Sequence, residues 1–176
     1  HRIIYVNDNS ADNSWTLLKQ ISKNTHNVIA INLAKNFGQD CAIMAGLSLT
    51  DGDYIVIMDD DLQHDPAAIP LLLDNIIKWK SNVVYANFKQ KKQSIIKNFG
   101  SWLNDKVANI VLKKPHNIYL SPFKILKKSL VDKIIQYKGP YPYIDGLIFR
   151  YTTNITQVLV SHHKRFSGKS NYSITK

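Results

Sequence analysis

The sequence predicts an α/β fold, with a mostly parallel sheet that carries helices on both faces. Segments of strand and helix character alternate at short intervals in the first half of the chain, which is the pattern of sheets built from strand–helix–strand units. The strand segments are continuous apolar runs, as is typical of parallel strands covered on both faces. With 176 residues and no recognisable linker or repeat, the chain is expected to form one domain, over 1–176.

Short apolar runs bounded by polar turns predict the strands and helices of the first half. The expected strands lie over 2–7, 28–33, 54–58 and 82–86. The expected helices lie between them, over 14–23, 41–49 and 66–79. The first helix follows a turn rich in Asp, Asn and Ser, which are good capping residues. Pro66 suits the first turn of the third helix.

The second half has a different composition. After residue 87, lysines alternate with apolar and aromatic residues, which predicts a basic loop followed by an amphipathic helix as far as residue 112. Further along, a strand, a helix, a short apolar segment and a last strand are expected over 119–126, 128–137, 144–151 and 157–161. A break at Gly139-Pro-Tyr-Pro142 precedes the apolar segment, and a basic, aromatic stretch over 162–172 follows the last strand.

Three consecutive carboxylates, Asp59 to Asp61, follow the strand expected over 54–58. Ligands of α/β sheets bind beyond the carboxyl ends of the strands, which is where these acids fall. On an extended backbone, Asp59 and Asp61 would point to one side and Asp60 to the other. Hard carboxylate oxygens at this spacing suit Mg²⁺ or Mn²⁺ carried in with substrate phosphates. A solvated acidic loop is the alternative interpretation of the same residues.

Charge divides the chain into an acidic part and a basic part. Residues 1–76 hold four Lys or Arg against ten Asp, whereas residues 77–176 hold nineteen against three. The basic part indicates an anionic partner, either phosphate groups or a membrane surface, although compositional bias alone also produces lysine richness. No apolar stretch reaches the ~18 residues of a membrane-spanning helix, and no signal peptide is expected. The single cysteine, Cys41, excludes an internal disulfide and fits a reducing compartment.

Four segments in this order resemble motifs of the family 2 glycosyltransferases, and more closely of the bacterial and dolichol-type enzymes that load a sugar onto a polyprenyl phosphate. The segments are Val6-Asn-Asp-Asn-Ser10 with Asp12, Asn36-Phe-Gly38 with Ala45-Gly46, Met58-Asp-Asp-Asp-Leu-Gln63 with Pro66, and Arg165-Phe-Ser-Gly-Lys-Ser-Asn-Tyr172. They are similar to the family's Val-Asp-Asp-Gly-Ser-x-Asp, Arg-Asn-Phe-Gly…Ala-Gly, Met-Asp-Ala-Asp-Leu-Gln-x-x-Pro and Arg-x-x-Gly-x-Ser-x-Tyr. Their order and spacing make the resemblance more specific than Asp-x-Asp alone.

The resemblance implies a GT-A, Rossmann-like nucleotide-sugar fold and a metal-dependent, inverting transfer of sugar from a UDP- or GDP-sugar to a polyprenyl phosphate. It implies that Mg²⁺ or Mn²⁺ is held by Asp59, Asp61 and Gln63. Residues implied to bind the nucleotide-sugar are Asp8, Lys35, Asp59 and Asp60. Residues implied to bind the acceptor phosphate are Lys89, Lys97, Ser101, Arg165 and Lys169, for which a solvated helix face or an exposed surface cation is the alternative. A divalent cation would neutralise the charge that grows on the leaving diphosphate.

Catalytic roles are expected for Asp61, Arg165 and Asp145. A polyprenyl phosphate is already ionised near neutral pH, so positioning would suffice for attack. A sugar hydroxyl would require a base, for which Asp145 is the candidate, with a turn or helix-capping role as its alternative. The guanidinium of Arg165 suits two phosphate oxygens.

The sequence departs from the family pattern in several places. Asn7 replaces the first Asp of the opening pair, Asp60 replaces a small residue, and Pro122 stands where a catalytic base is expected. The family's first strand with its Pro-x-x-Asn-Glu turn is missing, so a fragment without that strand and without any C-terminal membrane region is expected.

Three other interpretations of the function remain open at this point. A family 2 transferase acting on a saccharide hydroxyl in polysaccharide synthesis, or an inactive relative, would share the same motifs. A basic nucleic-acid-binding module would explain the basic part, but no nucleic-acid motif is recognisable and the Asp59–Asp61 cluster would have no role, so no nucleic acid partner is expected. The expected location is the cytoplasmic face of a membrane, that of the bacterial inner membrane, and a homo-oligomer is compatible with the sequence.

Overall fold

Strands and helices alternate in residues 1–88 and 118–160, which are the residues that this computed structural model describes. The strands are β1 (Ile3–Asn7), β2 (Val28–Asn32), β3 (Tyr54–Ile57), β4 (Val83–Phe88), β5 (Lys124–Lys127) and β6 (Ile155–Val160). The helices are α1 (Ser14–Asn24), α2 (Gln39–Leu47), α3 (Ile69–Lys78), α4 (Lys128–Ile134) and α5 (Ile144–Tyr151). One turn of 3₁₀-helix, Pro66–Ala68, precedes α3. The predicted α/β class is confirmed.

The described strands form two sheets. β1 and β2 are parallel, with Ile3 opposite Val28 and Asn7 opposite Asn32. The second sheet has the order β3-β5-β4-β6, in which β4 and β6 are parallel and start with Val83 opposite Ile155. The described residues divide into two compact units, residues 1–55 with 126–153, and residues 56–88 with 118–125 and 154–160.

In the first unit, α1 and α2 pack on the β1–β2 pair. α2 contacts β1, where a side chain at Gly46 would place its Cβ 3.3 Å from Cγ2 of Val6, so the missing side chain lets helix and strand approach closely. α4 and α5 pack together. The buried residues of this pair recur at helical spacing, at Leu130, Val131 and Ile134 on α4 and at Ile144, Leu147, Ile148 and Phe149 on α5.

The core of the second unit is β4 with α3 packed against it. Val83 to Ala86 are fully buried, as the continuous apolar run predicts for a strand covered on both faces. α3 buries Leu72 and Ile76, one helical turn apart, toward β4 and β6. The residue before β4 also has a hydrogen-bond partner for its backbone, since the N–H of Asn82 donates to the carbonyl of Asn154 at 3.0 Å.

Several element boundaries differ from the prediction for local chemical reasons. The helix expected over 66–79 is a 3₁₀ turn followed by α3, because Pro66 and Pro70 both lack an N–H and each falls in a first helical turn. α2 runs over Gln39–Leu47 and not 41–49, because the hydroxyls of Ser48 and Thr50 bond to the last carbonyls of the helix. α4 ends at Ile134, three residues earlier than expected.

The two strands expected in the second half have different bounds in the structure, and the short apolar segment forms a helix. β5 begins at Lys124 and not at 119, because Pro122 lacks an N–H and the Ser121 hydroxyl bonds to the N–H of Phe123 in a turn. The last strand covers Ile155–Val160, and the apolar segment over 144–151 is a helix. The basic loop and amphipathic helix expected over 88–112, and the segment 162–172, lie outside the described residues apart from Phe88.

No helix within residues 1–88 and 118–160 combines the length and the apolar character needed to cross a bilayer.

Candidate functional site

The turn after β1 directs the carboxylate of Asp8 to the start of α2. Oδ1 of Asp8 accepts the backbone N–H of Phe37 and Oδ2 accepts that of Gly38, both at 2.8 Å. The amide of Asn36 donates to the backbone carbonyl of Asp8 at 3.2 Å. Backbone N–H groups at a helix start favour a negative partner. The first two family-like segments are therefore joined by hydrogen bonds through Asp8.

Gly38 and Lys35 belong to the loop that precedes α2. Gly38 has φ +92° and ψ 163°, a backbone region that only glycine adopts without strain. Nζ of Lys35 lies 5.0 Å from the ring centre of Phe37, and Phe37 is half exposed. Two of the residues predicted to bind the nucleotide-sugar, Asp8 and Lys35, therefore flank the same turn, with an exposed aromatic face beside them.

Asn7, which departs from the family pattern, has a structural role. It is buried at 5% exposure. Its amide donates to Oδ1 of Asn32 at 2.6 Å, which joins the ends of β1 and β2, and its Oδ1 accepts the N–H of Ser10 at 3.3 Å. A carboxylate accepts hydrogen bonds but does not donate them, so an Asp at this position would require the Asn32 amide to turn its NH2 group toward it.

The predicted metal segment is a folded loop between β3 and the 3₁₀ turn. The N–H of Asp59 donates to Nδ1 of His64 at 3.0 Å, and the N–H of Gln63 donates to Oδ1 of Asp61 at 3.1 Å. Leu62 adopts φ +62°, in the left-handed region, at the end of a bend over residues 60–62. Asp65 then caps the 3₁₀ turn by accepting the N–H of Ala67 at 2.9 Å.

The expectation of an extended backbone over Asp59–Asp61 is wrong. β3 ends at Ile57, and the chain bends over residues 60–62, because Leu62 is left-handed and Asp61 closes a short turn with Gln63. Strict alternation of side chains therefore does not apply. Asp59 and Asp61 are half-buried and Asp60 is exposed, so the two acids of the predicted metal pair still share an environment that differs from that of Asp60.

The donor atoms of this loop fit Mg²⁺ or Mn²⁺. No group of three or more His, Cys, Asp or Glu side chains within residues 1–88 and 118–160 is arranged to hold a metal ion. Two carboxylates are nevertheless the usual protein share of a Mg²⁺ site, since this ion retains waters and takes further oxygens from substrate phosphates. Asp59 and Asp61 supply hard oxygen ligands. The loop that carries them is held in place by hydrogen bonds from its own backbone N–H groups. Gln63 follows two residues after Asp61 and is half-buried.

His64 was missed by the sequence analysis. It is buried at 6% exposure, and its ring stacks on Phe88, with centres 5.5 Å apart and planes 3° from parallel, and on Phe123, at 5.3 Å and 21°. A histidine three residues after a run of three acids was the signal available in the sequence. Its partners could not be read there, since Phe88 and Phe123 are distant in the chain.

Asp145, the candidate base, lies in the first turn of α5. There a carboxylate interacts favourably with the N-terminal end of the helix. The N–H of Ile144, in the same turn, donates to Oδ1 of Asp40 on α2 at 3.2 Å. Burial raises the pKa of the Tyr143 hydroxyl above its ordinary value, and the carboxylates of Asp145 and Asp40 raise it further. Because the folded-state pKa is the higher one, the contribution of Tyr143 to stability is complete below pH ~10 and is lost as pH rises through the folded-state pKa.

Asp40 should act as a helix cap supplied from a distant part of the chain. We expect Asp40→Ala to lower the free energy of unfolding by about 1 kcal/mol, the usual cost of losing an N-cap. Asp40→Asn is the matched variant, since its amide oxygen still accepts the Ile144 N–H, and it should lose less. Urea unfolding of both variants measures the difference. Equal stability of Asp40→Ala and the unmodified chain would contradict the capping role.

The segment that contains Pro122 holds a buried cation. Pro122 is exposed, whereas Lys124 is 3% exposed and its Nζ lies 5.0 Å from the ring centre of Tyr85 on β4. A lysine at this depth loses much of its hydration, which an aromatic face compensates in part. The remaining predicted site residues lie outside the described residues; they are Lys89, Lys97, Ser101, Arg165 and Lys169.

The comparisons with known proteins agree on one family. The model described as "Glycosyl transferase family 2" matches residues 1–135. The chain is 29% identical over 178 residues to undecaprenyl-phosphate 4-deoxy-4-formamido-L-arabinose transferase of Pseudomonas fluorescens (strain SBW25), a match that covers 98% of this chain and 51% of that protein. It is 28% identical over 179 residues to the uncharacterized glycosyltransferase YkcC of Bacillus subtilis (strain 168), covering 100% and 54%. The chain thus spans about half the length of the curated relatives it matches.

Solved structures share the fold. Glucosyl-3-phosphoglycerate synthase of Mycobacterium tuberculosis in complex with UDP superposes with a TM-score of 0.65 at 16% identity, covering 97% of this chain and 61% of that one. The same enzyme in complex with Mn²⁺, UDP-glucose and phosphoglyceric acid gives a TM-score of 0.62 at 16% identity, covering 92% and 60%. At this identity the likeness shows the fold, and it confirms the predicted GT-A type.

Proposed function

The chain belongs to glycosyl transferase family 2, and from this membership we propose that it transfers a sugar, with inversion, from a nucleoside-diphosphate sugar to a polyprenyl phosphate. The observation that supports the proposal best is the loop after β3, where Asp59 and Asp61 stand on a backbone held by His64 and by the turn at Gln63. A relative named as an undecaprenyl-phosphate sugar transferase, 29% identical over nearly the whole chain, favours a lipid phosphate as acceptor.

Donor binding is proposed to use two groups of residues. Asp59 and Asp61, with Gln63, would hold Mg²⁺ or Mn²⁺, an ion that stabilises charge on the departing diphosphate when it is bound. A fold neighbour solved with Mn²⁺ and UDP-glucose supports this metal chemistry. Asp8, with Lys35 and the exposed ring of Phe37, would contact the nucleoside, and the exposed carboxylate of Asp60 would lie near the sugar-bearing end.

Acceptor chemistry is proposed to depend on position more than on a base. A phosphate monoester is ionised near neutral pH, so its oxygen needs only to be held in line with the anomeric carbon. Lys89, Lys97, Ser101, Arg165 and Lys169 are the proposed ligands of that phosphate. Asp145 would serve as a base only for a hydroxyl acceptor, and its place in the first turn of α5 gives it a second, structural role.

Residues 1–176 are proposed to function as one catalytic domain at the cytoplasmic face of a bacterial inner membrane. Residues 77–176 carry nineteen Lys or Arg against three Asp, and such an excess favours contact with anionic lipid headgroups. Exposed aromatic residues accompany the cations, among them Trp79 beside Lys78, whose Nζ lies 5.3 Å from the ring centre.

A donor and acceptor screen tests the proposal. The full chain is incubated with UDP- and GDP-sugars, with Mg²⁺ or Mn²⁺ and then with a chelator, and with undecaprenyl phosphate or an oligosaccharide as acceptor. The expected product is a sugar-linked lipid phosphate that forms only with metal. Transfer to the oligosaccharide alone would overturn the lipid acceptor, and transfer that survives the chelator would overturn the metal role.

A further inference from the structure

We propose that His64 is a positioning residue that holds the metal-binding loop through the backbone of Asp59. The proposal rests on the proposed function, since it assigns His64 to the same loop. The N–H of Asp59 donates a hydrogen bond to Nδ1 of the His64 ring at 3.0 Å. An imidazole that accepts at Nδ1 carries its proton on Nε2, which fixes the tautomer.

The ring of His64 is fixed in turn by the sheet of the second unit. Phe88 is the last residue of β4 and Phe123 directly precedes β5. Both are buried, at 7% and 0% exposure, and the imidazole stacks on both rings with nearly parallel planes. The carbonyl of Phe123 accepts the N–H of Ala86 on β4 at 3.0 Å. Aromatic rings prefer stacked or edge-to-face geometries, which stabilise them beyond the surface they bury, so these contacts favour the observed orientation of the imidazole.

The hydrogen bond between Asp59 and His64 spans the residues that are proposed to bind the metal. Between its two ends lie Asp60, Asp61, Leu62 and Gln63. Leu62 sits in the left-handed region, at φ +62°, where a leucine is strained and persists only if the surrounding structure holds it. The bond from Asp59 to His64 and the turn from Asp61 to Gln63 supply that restraint. Without the acceptor at position 64, we expect the loop that carries Asp59 and Asp61 to become more mobile.

Two variants separate the hydrogen bond from the packing. H64F keeps an aromatic ring between Phe88 and Phe123 but has no acceptor for the Asp59 N–H. H64N has its side-chain oxygen two bonds from Cβ, as Nδ1 is, so it keeps the acceptor while losing the ring. A structural role through packing alone predicts that H64F is the milder change. A positioning role predicts the reverse order.

The test measures the loop both with and without metal. In the full chain, amide hydrogen exchange over residues 59–64 reports the hydrogen bond in the absence of any ligand. Electron paramagnetic resonance of Mn²⁺, alone and with UDP or GDP, reports metal affinity. We expect H64F to speed exchange and to weaken Mn²⁺ binding by about 10- to 100-fold, the usual effect of removing a group that orients a metal ligand. H64N should retain most of the affinity.

The outcomes distinguish this inference from the proposed function. Equal Mn²⁺ affinity and exchange in H64F and the unmodified chain would overturn the positioning role, and so would a loss in H64N as large as in H64F. Failure of the unmodified chain to bind Mn²⁺ with either nucleotide would overturn the metal part of the proposed function, while the exchange comparison would still decide the role of His64. Thermal unfolding checks each variant, and H64L replaces H64F if H64F does not fold.

Discussion

Asp61→Asn is expected to abolish sugar transfer, with kcat/KM falling by about 1,000-fold or more. The substitution is nearly isosteric, and the amide oxygen still accepts the Gln63 N–H that Asp61 Oδ1 accepts at 3.1 Å. The turn should therefore persist. What is lost is one of the two negative charges proposed to hold the divalent cation, and with it the neutralisation of the leaving diphosphate. Radiolabelled sugar transfer measures the loss, and thermal unfolding checks the fold.

A control on the same unit shows whether the effect is specific. Asp74→Asn removes an exposed carboxylate from α3 and should leave transfer and metal dependence unchanged. Raising the Mn²⁺ concentration should restore part of the activity of Asp61→Asn if the remaining ligand, Asp59, still binds. Turnover within tenfold of the unmodified chain at low metal would contradict the assignment of Asp61.

The sequence predicts most of the secondary structure, because the elements that carry the fold have strong local patterns. β4 is a run of apolar residues that is fully buried from Val83 to Ala86, and α3 shows its buried positions one turn apart. The misplaced boundaries depend on single polar atoms. The hydroxyls of Ser48 and Thr50 end α2, and the Ser121 hydroxyl delays β5.

The candidate site is less predictable, since distant residues shape it. The sequence identifies Asp59 and Asp61 by their place after a strand, and Asp8 by its resemblance to a family motif, but it gives no sign that the N–H of Asp59 bonds to His64. The helix over 144–151 likewise receives its cap from Asp40, on another helix. Such contacts arise from the fold as a whole, whereas sequence periodicity reports only neighbours within a few residues.

Asp8→Ala is expected to weaken donor binding by about 10- to 100-fold, which is roughly 1.4–2.7 kcal/mol. The change removes two charge-assisted hydrogen bonds, those from the N–H groups of Phe37 and Gly38, each 2.8 Å long. Both donors become free to bond to water, which limits the cost. The loop before α2 should then lose its fixed shape. Calorimetric titration with UDP and GDP measures the affinity, and the KM for the donor should rise by the same factor.

Two further variants decide whether Asp8 acts by holding the loop or by touching the nucleoside. Gly38→Ala strains the backbone at φ +92° without filling any occupied space, so it disturbs the loop while Asp8 remains. A loss of nucleotide affinity comparable to that of Asp8→Ala would indicate that nucleotide binding depends on the shape of the loop. Normal affinity in Gly38→Ala would leave direct contact by the Asp8 carboxylate as the cause. Asp132→Ala is the control, because it breaks only an exposed ion pair with Lys128 on α4, and it should change neither the nucleotide affinity nor the KM for the donor. Unaltered nucleotide affinity in Asp8→Ala would refute any role of this turn in donor binding.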